Sequence, residues 1–243
     1  MNSILTEIDK LQKEINAFRP LEGDALKQIK EYYRIGLTYS SNALEGNSLT
    51  ESETKVVIEE GLTIGGKPLK DHFEAIGHSE AFDFIYSLAK RKDIAELELK
   101  GLHRLFYHRI DEQNAGEYRK QKVYITGSKY PLPAPEKIQT LMAEFIQKLN
   151  QRRKEKHPVE VAALAHKDFV FIHPFIDGNG RVSRLLMNLI LLQDGYNIAI
   201  IPPVLRSEYV QALEKAHTDD KDFMDLIARM IRESQKDYLR LFK

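Results

Sequence analysis

The chain contains no cysteine, which excludes a disulfide scaffold, thiolate nucleophiles and cysteine-ligated zinc. It also lacks a surplus of either charge, since 36 Lys and Arg stand against 36 Asp and Glu. Partner binding dominated by phosphate neutralisation needs a strong cationic surplus, so nucleic acid is a disfavoured partner. Long apolar runs are missing too. The longest, Leu185 to Leu192, is broken by Asn188 and falls short of the ~18–20 residues that cross a bilayer. Glu7 and Asp9 arrive too early for a secretory apolar segment, so the expectation is a cytoplasmic protein with no membrane partner. What is present is a globular composition, 42% hydrophobic and 30% charged. At 243 residues it suffices for one large domain or a core with an extension. No internal repeat or low-complexity linker interrupts it.

Periodicity predicts a mainly helical protein. Ile4, Ile8, Leu11, Ile15 and Phe18 recur at helical spacing until Pro20. A second helix runs from Asp24, which can act as its N-cap, toward Leu44, with Gly46 and Asn47 positioned to stop it. Thr50 and Glu53 form a capping-box pattern for a short helix ending at Gly61. Asp71 with Glu74 opens the next helix, and Leu99, Leu102, Leu105 and Phe106 mark another. Between Gly116 and Pro135 the texture changes. Val123, Tyr124 and Ile125 favour strand and Gly127 with Ser128 favours a turn, so a small β-hairpin flap is expected over about 117–134. Helical spacing resumes at Ile138, Pro158 suits the first turn of a helix, and another apolar helix follows Asn179. Ser207 is placed to cap the next helix, and Phe223 to Leu241 reads as a last long one. The expected fold class is therefore all-α with one small β-hairpin. The apolar stripe from Ile4 to Phe18 can pack on its own core or on a second copy, which leaves a homodimer open.

The run His173-Pro174-Phe175-Ile176-Asp177-Gly178-Asn179-Gly180-Arg181, followed by Arg184, gathers the groups of a phosphate site between two helices. Gly178 and Gly180 allow close backbone approach, and the free N–H groups of the next helix make an anion nest backed by its dipole. Arg181 and Arg184 share one side of that helix and can grip successive phosphates. Asp177 is a hard oxygen donor suited to Mg²⁺, and His173 can accept a hydroxyl proton at neutral pH. Other phosphate and metal motifs fail. An EF-hand would need a bidentate Glu where Asn188 stands, no Gly-Lys-Ser or Gly-Lys-Thr makes a P-loop, and His157, His166 and His173 lack zincin spacing.

At these residues the sequence resembles the Fic family, whose signature His-x-Phe-x-(Asp/Glu)-Gly-Asn-Gly-Arg-x-x-Arg is matched throughout from His173 to Arg184. Gly116, Tyr118, Arg119, Val123, Ile125, Gly127 and Ser128 resemble the family's flap. The resemblance implies transfer of AMP from ATP to a Ser, Thr or Tyr hydroxyl of a protein. It makes His173 the general base and Asp177 the Mg²⁺ ligand. Gly178, Asn179 and Gly180 would cradle phosphates that Arg181 and Arg184 neutralise, and Phe175 would pack inward to fix the loop. Ser41-Asn42-Ala43-Leu44-Glu45-Gly46 resembles the family's inhibitory motif, placed amino-terminally as in class II members. The resemblance then implies that Glu45 pairs with Arg184 and takes the place of the γ-phosphate.

The flap offers a docking edge for a protein substrate at Val123, Tyr124, Ile125 and Thr126, and auto-modification is a further outcome. Along the chain, 1–95 would carry the inhibitory helix at about 24–45, 96–195 the catalytic core, and 196–243 helices packed on it. Two other functions stay open at this point: hydrolytic removal of AMP from modified proteins, and a non-catalytic nucleotide-binding module, against which His173 and Asp177 argue.

Overall fold

The structure is a computed structural model and describes residues 2–242. Ten α-helices follow one another among them: α1 (Asn2–Asn16), α2 (Gly23–Ala43), α3 (Glu51–Lys55, continued by a π turn to Glu60), α4 (Leu69–Leu88), α5 (Glu96–Tyr107), α6 (Ile138–Glu155), α7 (Pro158–Ile172), α8 (Asn179–Gln193), α9 (Arg206–Lys215) and α10 (Lys221–Arg240). Helix α8 lies at the centre and packs most extensively on α7. It is apolar around most of its circumference and buried along nearly its whole length, as a helix surrounded by others must be. Asn188, within it, fastens the following chain by accepting from Ala199 N at 2.7 Å and donating to Ala199 O at 3.1 Å. The apolar stripe of α1 is covered by α10, where Gln235 donates to Ile8 O and to Gln12 Oε1. Helix α2 lies across α4 and α8, which brings its C-terminal end over the start of α8.

Local signals account for most boundaries. The Thr50–Glu53 capping box is formed in both directions, Glu53 N to Thr50 Oγ1 at 3.2 Å and Thr50 N to Glu53 Oε2 at 2.8 Å. Pro158 occupies the first turn of α7, and Gly46 stops α2 at φ +94°, where Asn47 N reaches back to Asn42 O. Two expected caps are not used. Helix α2 begins one residue before Asp24, and a 3₁₀ turn over Pro203–Leu205 leads into α9 ahead of Ser207.

The expected β-hairpin is not formed. Residues 117–126 are extended around a turn at Gly127, but no strand occurs among the described residues. The reason lies in the returning limb. Pro131, Pro133 and Pro135 remove the donors a ladder would need at alternate positions. The flap is fastened by side chains instead. Arg119 reaches the carbonyls of Gln121 and Pro133, while Glu214 of α9 accepts from Ser128 Oγ at 2.9 Å and Lys129 N at 2.7 Å. Tyr130 stacks on His217, which stacks in turn on Phe171.

Helices α4 and α5 approach so closely at Gly77 that a Cβ there would stand 2.5 Å from Phe106 O and 2.8 Å from Leu105 O. Backbone atoms cannot rotate away as a side chain can. Gly77→Ala is therefore expected to lower stability by ~1–3 kcal/mol, read from the urea midpoint. Gly65→Ala, which meets open space, is the matched control; equal midpoints for the two variants would remove this contact from the account.

Candidate active site

The loop between α7 and α8 is held from three sides by this chain's own side chains. His173 ends α7 in the left-handed conformation, φ 51° and ψ 59°, which turns the chain sharply toward α8. Asn179 clamps the bend by accepting from Phe175 N and donating to Phe175 O, both at 2.9 Å. From the flap base, Arg119 Nε donates to His173 O at 2.7 Å and Arg119 N to Pro174 O at 2.8 Å. From α5, His103 accepts from Gly116 N at Nδ1, so its Nε2 proton is left to donate to Asp177 O at 3.1 Å. The His103 ring lies flat on buried Phe175, with centroids 3.8 Å apart.

His173 is half-buried, and burial pushes its imidazole down to about 4, with the Arg119 guanidinium acting in the same direction. The carbonyl of Val170 and the carboxylates of Asp177 and Glu45 oppose this without reversing it. Nδ1 has no partner within hydrogen-bond geometry. The ring is therefore neutral at pH 7 and able to take a proton. It lines a cavity of about 250 Å³ shared with Glu45, Gly180, Tyr209 and the flap residues Ile125 and Thr126.

Both arginines of the motif are buried and both already hold carboxylates. Arg181 donates to Glu74 Oε1 at 2.7 Å and to Asp177 Oδ1 at 3.1 Å, with its guanidinium 4.3 Å above the Phe106 ring. Arg184 is 2% exposed. Its Nε donates to Ser41 Oγ at 2.9 Å, one terminal nitrogen to Ser41 O at 2.8 Å and Glu45 Oε1 at 2.7 Å, and the other to Tyr209 OH at 3.3 Å. Burial alone would push the Glu45 carboxyl up, but the guanidinium groups of Arg184 and Arg181 hold it below the usual carboxylate range. The same carboxylate lies against the first turn of α8, where a Cβ on Gly180 would collide with Glu45 Oε1. A side chain at this position would displace the anion from where it sits.

Asp177 presents a carboxylate at the loop; no group of three or more potential metal ligands gathers among the described residues. Its Oδ1 is taken by Gly178 N and Arg181, and its Oδ2 lies 3.6 Å from Lys70 Nζ. Burial would raise this carboxyl, yet Arg181, the Gly178 N–H and Lys70 keep it lowered. One ionised carboxylate with an exposed oxygen fits Mg²⁺, which takes most of its remaining ligands from water and phosphate.

Residues 93–191 match the Fic/DOC family. In structure the chain superposes on a fragment of Fic-1 from C. elegans with a TM-score of 0.90 and 30% identity, covering 99% of this chain and 72% of that one. The chain belongs to the Fic/DOC family. A Fic domain-containing signalling protein from Bacteroides thetaiotaomicron superposes with a TM-score of 0.86 at 28% identity, over 95% of each chain. Among curated relatives, protein adenylyltransferase Fic of Drosophila melanogaster is 36% identical over 238 residues, 97% of this chain and 48% of the relative. This Fic chain thus spans about half the length of the curated relatives it matches.

Within the Fic signature, His173 and Gly180 reach the cavity, Asp177 and Arg181 lie on its Lys70 side, and Phe175 and Asn179 are buried beneath the loop. Ser41 and Glu45 meet Arg184 directly, and Gly46 shapes the turn that brings Glu45 there. On the flap, Tyr124 is 87% exposed and Ile125 and Thr126 face the cavity, whereas Val123 does not line it. Four contributors carried no sequence signal for this role: Glu74, read only as a helix start, Arg119, read only as part of the flap, and His103 and Tyr209, which carried none. Each meets the motif only through the folding of a distant helix or loop.

Burial holds His78 and His166 down to about 3, and His103 and His173 down to about 4. A folded value below the unfolded one, near 6.5, means that the unfolded chain binds more protons in acid. Stability is therefore full above about pH 6.5 and falls as pH drops, by up to ~1.4 kcal/mol per pH unit for each such imidazole. Urea unfolding at pH 7, 6 and 5 should show this steep decline, and His78→Gln should reduce its slope; a flat profile would contradict the burial of these rings as neutral groups.

Proposed function

We propose that this chain transfers AMP from ATP to the hydroxyl of a Ser, Thr or Tyr side chain of a protein, and that the conformation described is the restrained one. The observation that carries the proposal is the Glu45 carboxylate seated on Arg184 at 2.7 Å, over the Gly180 turn, in the cavity that neutral His173 also lines. A carboxylate there occupies an anion site made by a helix N-terminus and a buried guanidinium, the combination that would otherwise hold a phosphate. On this reading ATP binds unproductively until Glu45 withdraws.

With Glu45 displaced, the His173 imidazole accepts the proton of the target hydroxyl as its oxygen attacks the α-phosphorus. The bond from that phosphorus to the bridging oxygen of pyrophosphate breaks. Charge that grows on the leaving pyrophosphate falls to Arg184, Arg181 and the N–H groups at the start of α8. Asp177 would hold the Mg²⁺ that accompanies the triphosphate and contributes positive charge to its oxygens. The bent loop, fixed by Asn179, Arg119 and His103, supplies positioning, on which this class of transfer mainly depends.

The target itself would dock along the flap. Among the described residues the N–H groups of 122–126 find no acceptor, so a segment of another protein, or of a second copy in auto-modification, can add there through backbone hydrogen bonds. The regulatory stretch then lies within 1–95 and the chemistry within 96–195, while α9 walls the cavity and holds the flap with α10 packed against it. A second activity has one observation in its favour. Glu45 shares the cavity with His173, where a carboxylate can orient a water against an AMP ester, so removal of AMP is the alternative direction.

Loss of a coupling of ~1–3 kcal/mol corresponds to about 5- to 150-fold. Glu45→Gly should accordingly raise ATP-dependent adenylyl incorporation at least several-fold, measured by intact-protein mass spectrometry; equal labelling of the two proteins would reject the restraint. In that background His173→Ala is expected to cut transfer by ~10²- to 10⁴-fold while calorimetric ATP binding persists. Parallel incubation with an AMP-modified protein reports the reverse direction, where release by the unsubstituted chain and not by Glu45→Gly would favour the hydrolytic role.

A further inference from the structure

Arg184 has four oxygen partners, and three of them travel together. Ser41 Oγ, Ser41 O and Glu45 Oε1 all belong to the C-terminal end of α2, the segment that must withdraw for a phosphate to take the place of Glu45. The phenol of Tyr209, from α9, is the one partner contributed by another element, at 3.3 Å. Were α2 to shift alone, the guanidinium would lose every oriented contact except this one.

Tyr209 is itself tightly placed. It is 5% exposed, its ring stands 5.9 Å from the Arg184 guanidinium, and it packs against Phe223 and edge-on against His166. Its hydroxyl lies 2.9 Å from His166 Nε2. Arginine can only donate, so the phenol oxygen accepts from Arg184 and keeps its single proton for the imidazole. That imidazole is fully buried and stays neutral. Ser183 Oγ stands 3.3 Å from the same Nε2, but its proton goes to Gly180 O at 2.7 Å in the first turn of α8, so this is a packing contact and not a hydrogen bond. The hydrogen-bonded line from guanidinium to phenol to imidazole thus connects Arg184 to α9 and to α7, with no member on α2.

We propose that Tyr209, held by His166, is the positioning residue that keeps Arg184 aimed at the outer phosphates of the nucleotide after the α2 segment has left. This rests on the transferase reading, but it concerns nucleotide binding and is tested there. In the Glu45→Gly background, Tyr209→Phe deletes one oxygen and leaves the ring in its packing. The affinities for Mg-ATP and for AMP are then measured by calorimetry. A hydrogen bond to a charged group is worth ~1.5–3 kcal/mol, so ATP affinity should fall about tenfold or more while AMP affinity, which does not involve the outer phosphates, is unchanged. In the chain with Glu45 present the loss should be much smaller, because the Glu45 carboxylate still holds the guanidinium.

A second pair covers the case in which the ring shifts. His166→Gln retains a polar partner for the phenol and should keep most of the ATP affinity that His166→Leu loses. Equal ATP affinity with and without the Tyr209 hydroxyl would overturn the assignment, as would a parallel fall in AMP binding, which would mark Tyr209 as cavity wall alone. Failure of the transferase reading looks different. ATP and AMP would then still bind, with the expected contrast between variants, while no adenylyl group is incorporated.

Discussion

A guanidinium buried to 2% exposure in the central helix is the constraint around which the rest is arranged. Desolvating such a charge costs several kcal/mol, and leaving it without an anion costs a further ~3–5 kcal/mol. Arg184 is therefore most stable with a negative partner beside it. Helix α8 cannot provide one, since its inward face is apolar and its first turn is itself an electropositive N-terminus. The anion must come from outside the helix. In the conformation described it is Glu45, delivered by the end of α2. Under the proposed function it is a phosphate. A site that favours one anion or another is a natural point of exchange, and control of access to it needs no movement of the loop between α7 and α8.

The loop is built to stay still. His173 lies in a region of backbone space that costs a non-glycine residue ~1–3 kcal/mol, and such strain survives only when neighbours over-determine it. Here they do. Arg119 fixes the carbonyl of His173 from the flap, Asn179 closes the bend from α8, and His103 stacks on Phe175 while donating to Asp177 O. Glu74 plays the same part for Arg181, and it also accepts from Asn47 at 2.8 Å, two residues beyond Glu45. Helix α4 thus touches both the motif and the segment that restrains it. Geometry at the motif is set by packing, and under the proposed function regulation is left to the end of α2.

How much of this was legible from residues alone follows from the range of each interaction. The His173–Arg184 run is a local pattern whose spacing already implies a turn, a nest and two guanidinium groups on one helix side. Ser41 and Glu45 are likewise four apart on one chain segment. Capping at Thr50, termination at Gly46 and the helical stripes are local as well, and they appear where periodicity puts them. The flap shows the limit of local propensity. Val123, Tyr124 and Ile125 are good strand formers, but a strand exists only with a partner, and the prolines at 131, 133 and 135 cannot pair. Glu74, Arg119 and Tyr209 meet the site across 107, 54 and 25 residues of sequence, and no short spacing encodes those distances.

The long-range contributors share a physical character that explains why composition hides them. Each is a polar side chain buried among apolar neighbours, which is costly unless its partners are in place, so its presence is justified only by the folded arrangement. Arg119 shows this most plainly. It is 3% exposed with no carboxylate beside it, and burial lowers its guanidinium below the usual value. Its charge is spread over the carbonyls of His173, Gln121 and Pro133 instead. Three backbone acceptors from two separate segments can converge on one guanidinium only if the flap base and the catalytic bend are already side by side. The same residue that tolerates this desolvation therefore couples the base of the flap to the position of His173, so under the proposed function a target seated on one would be registered against the other.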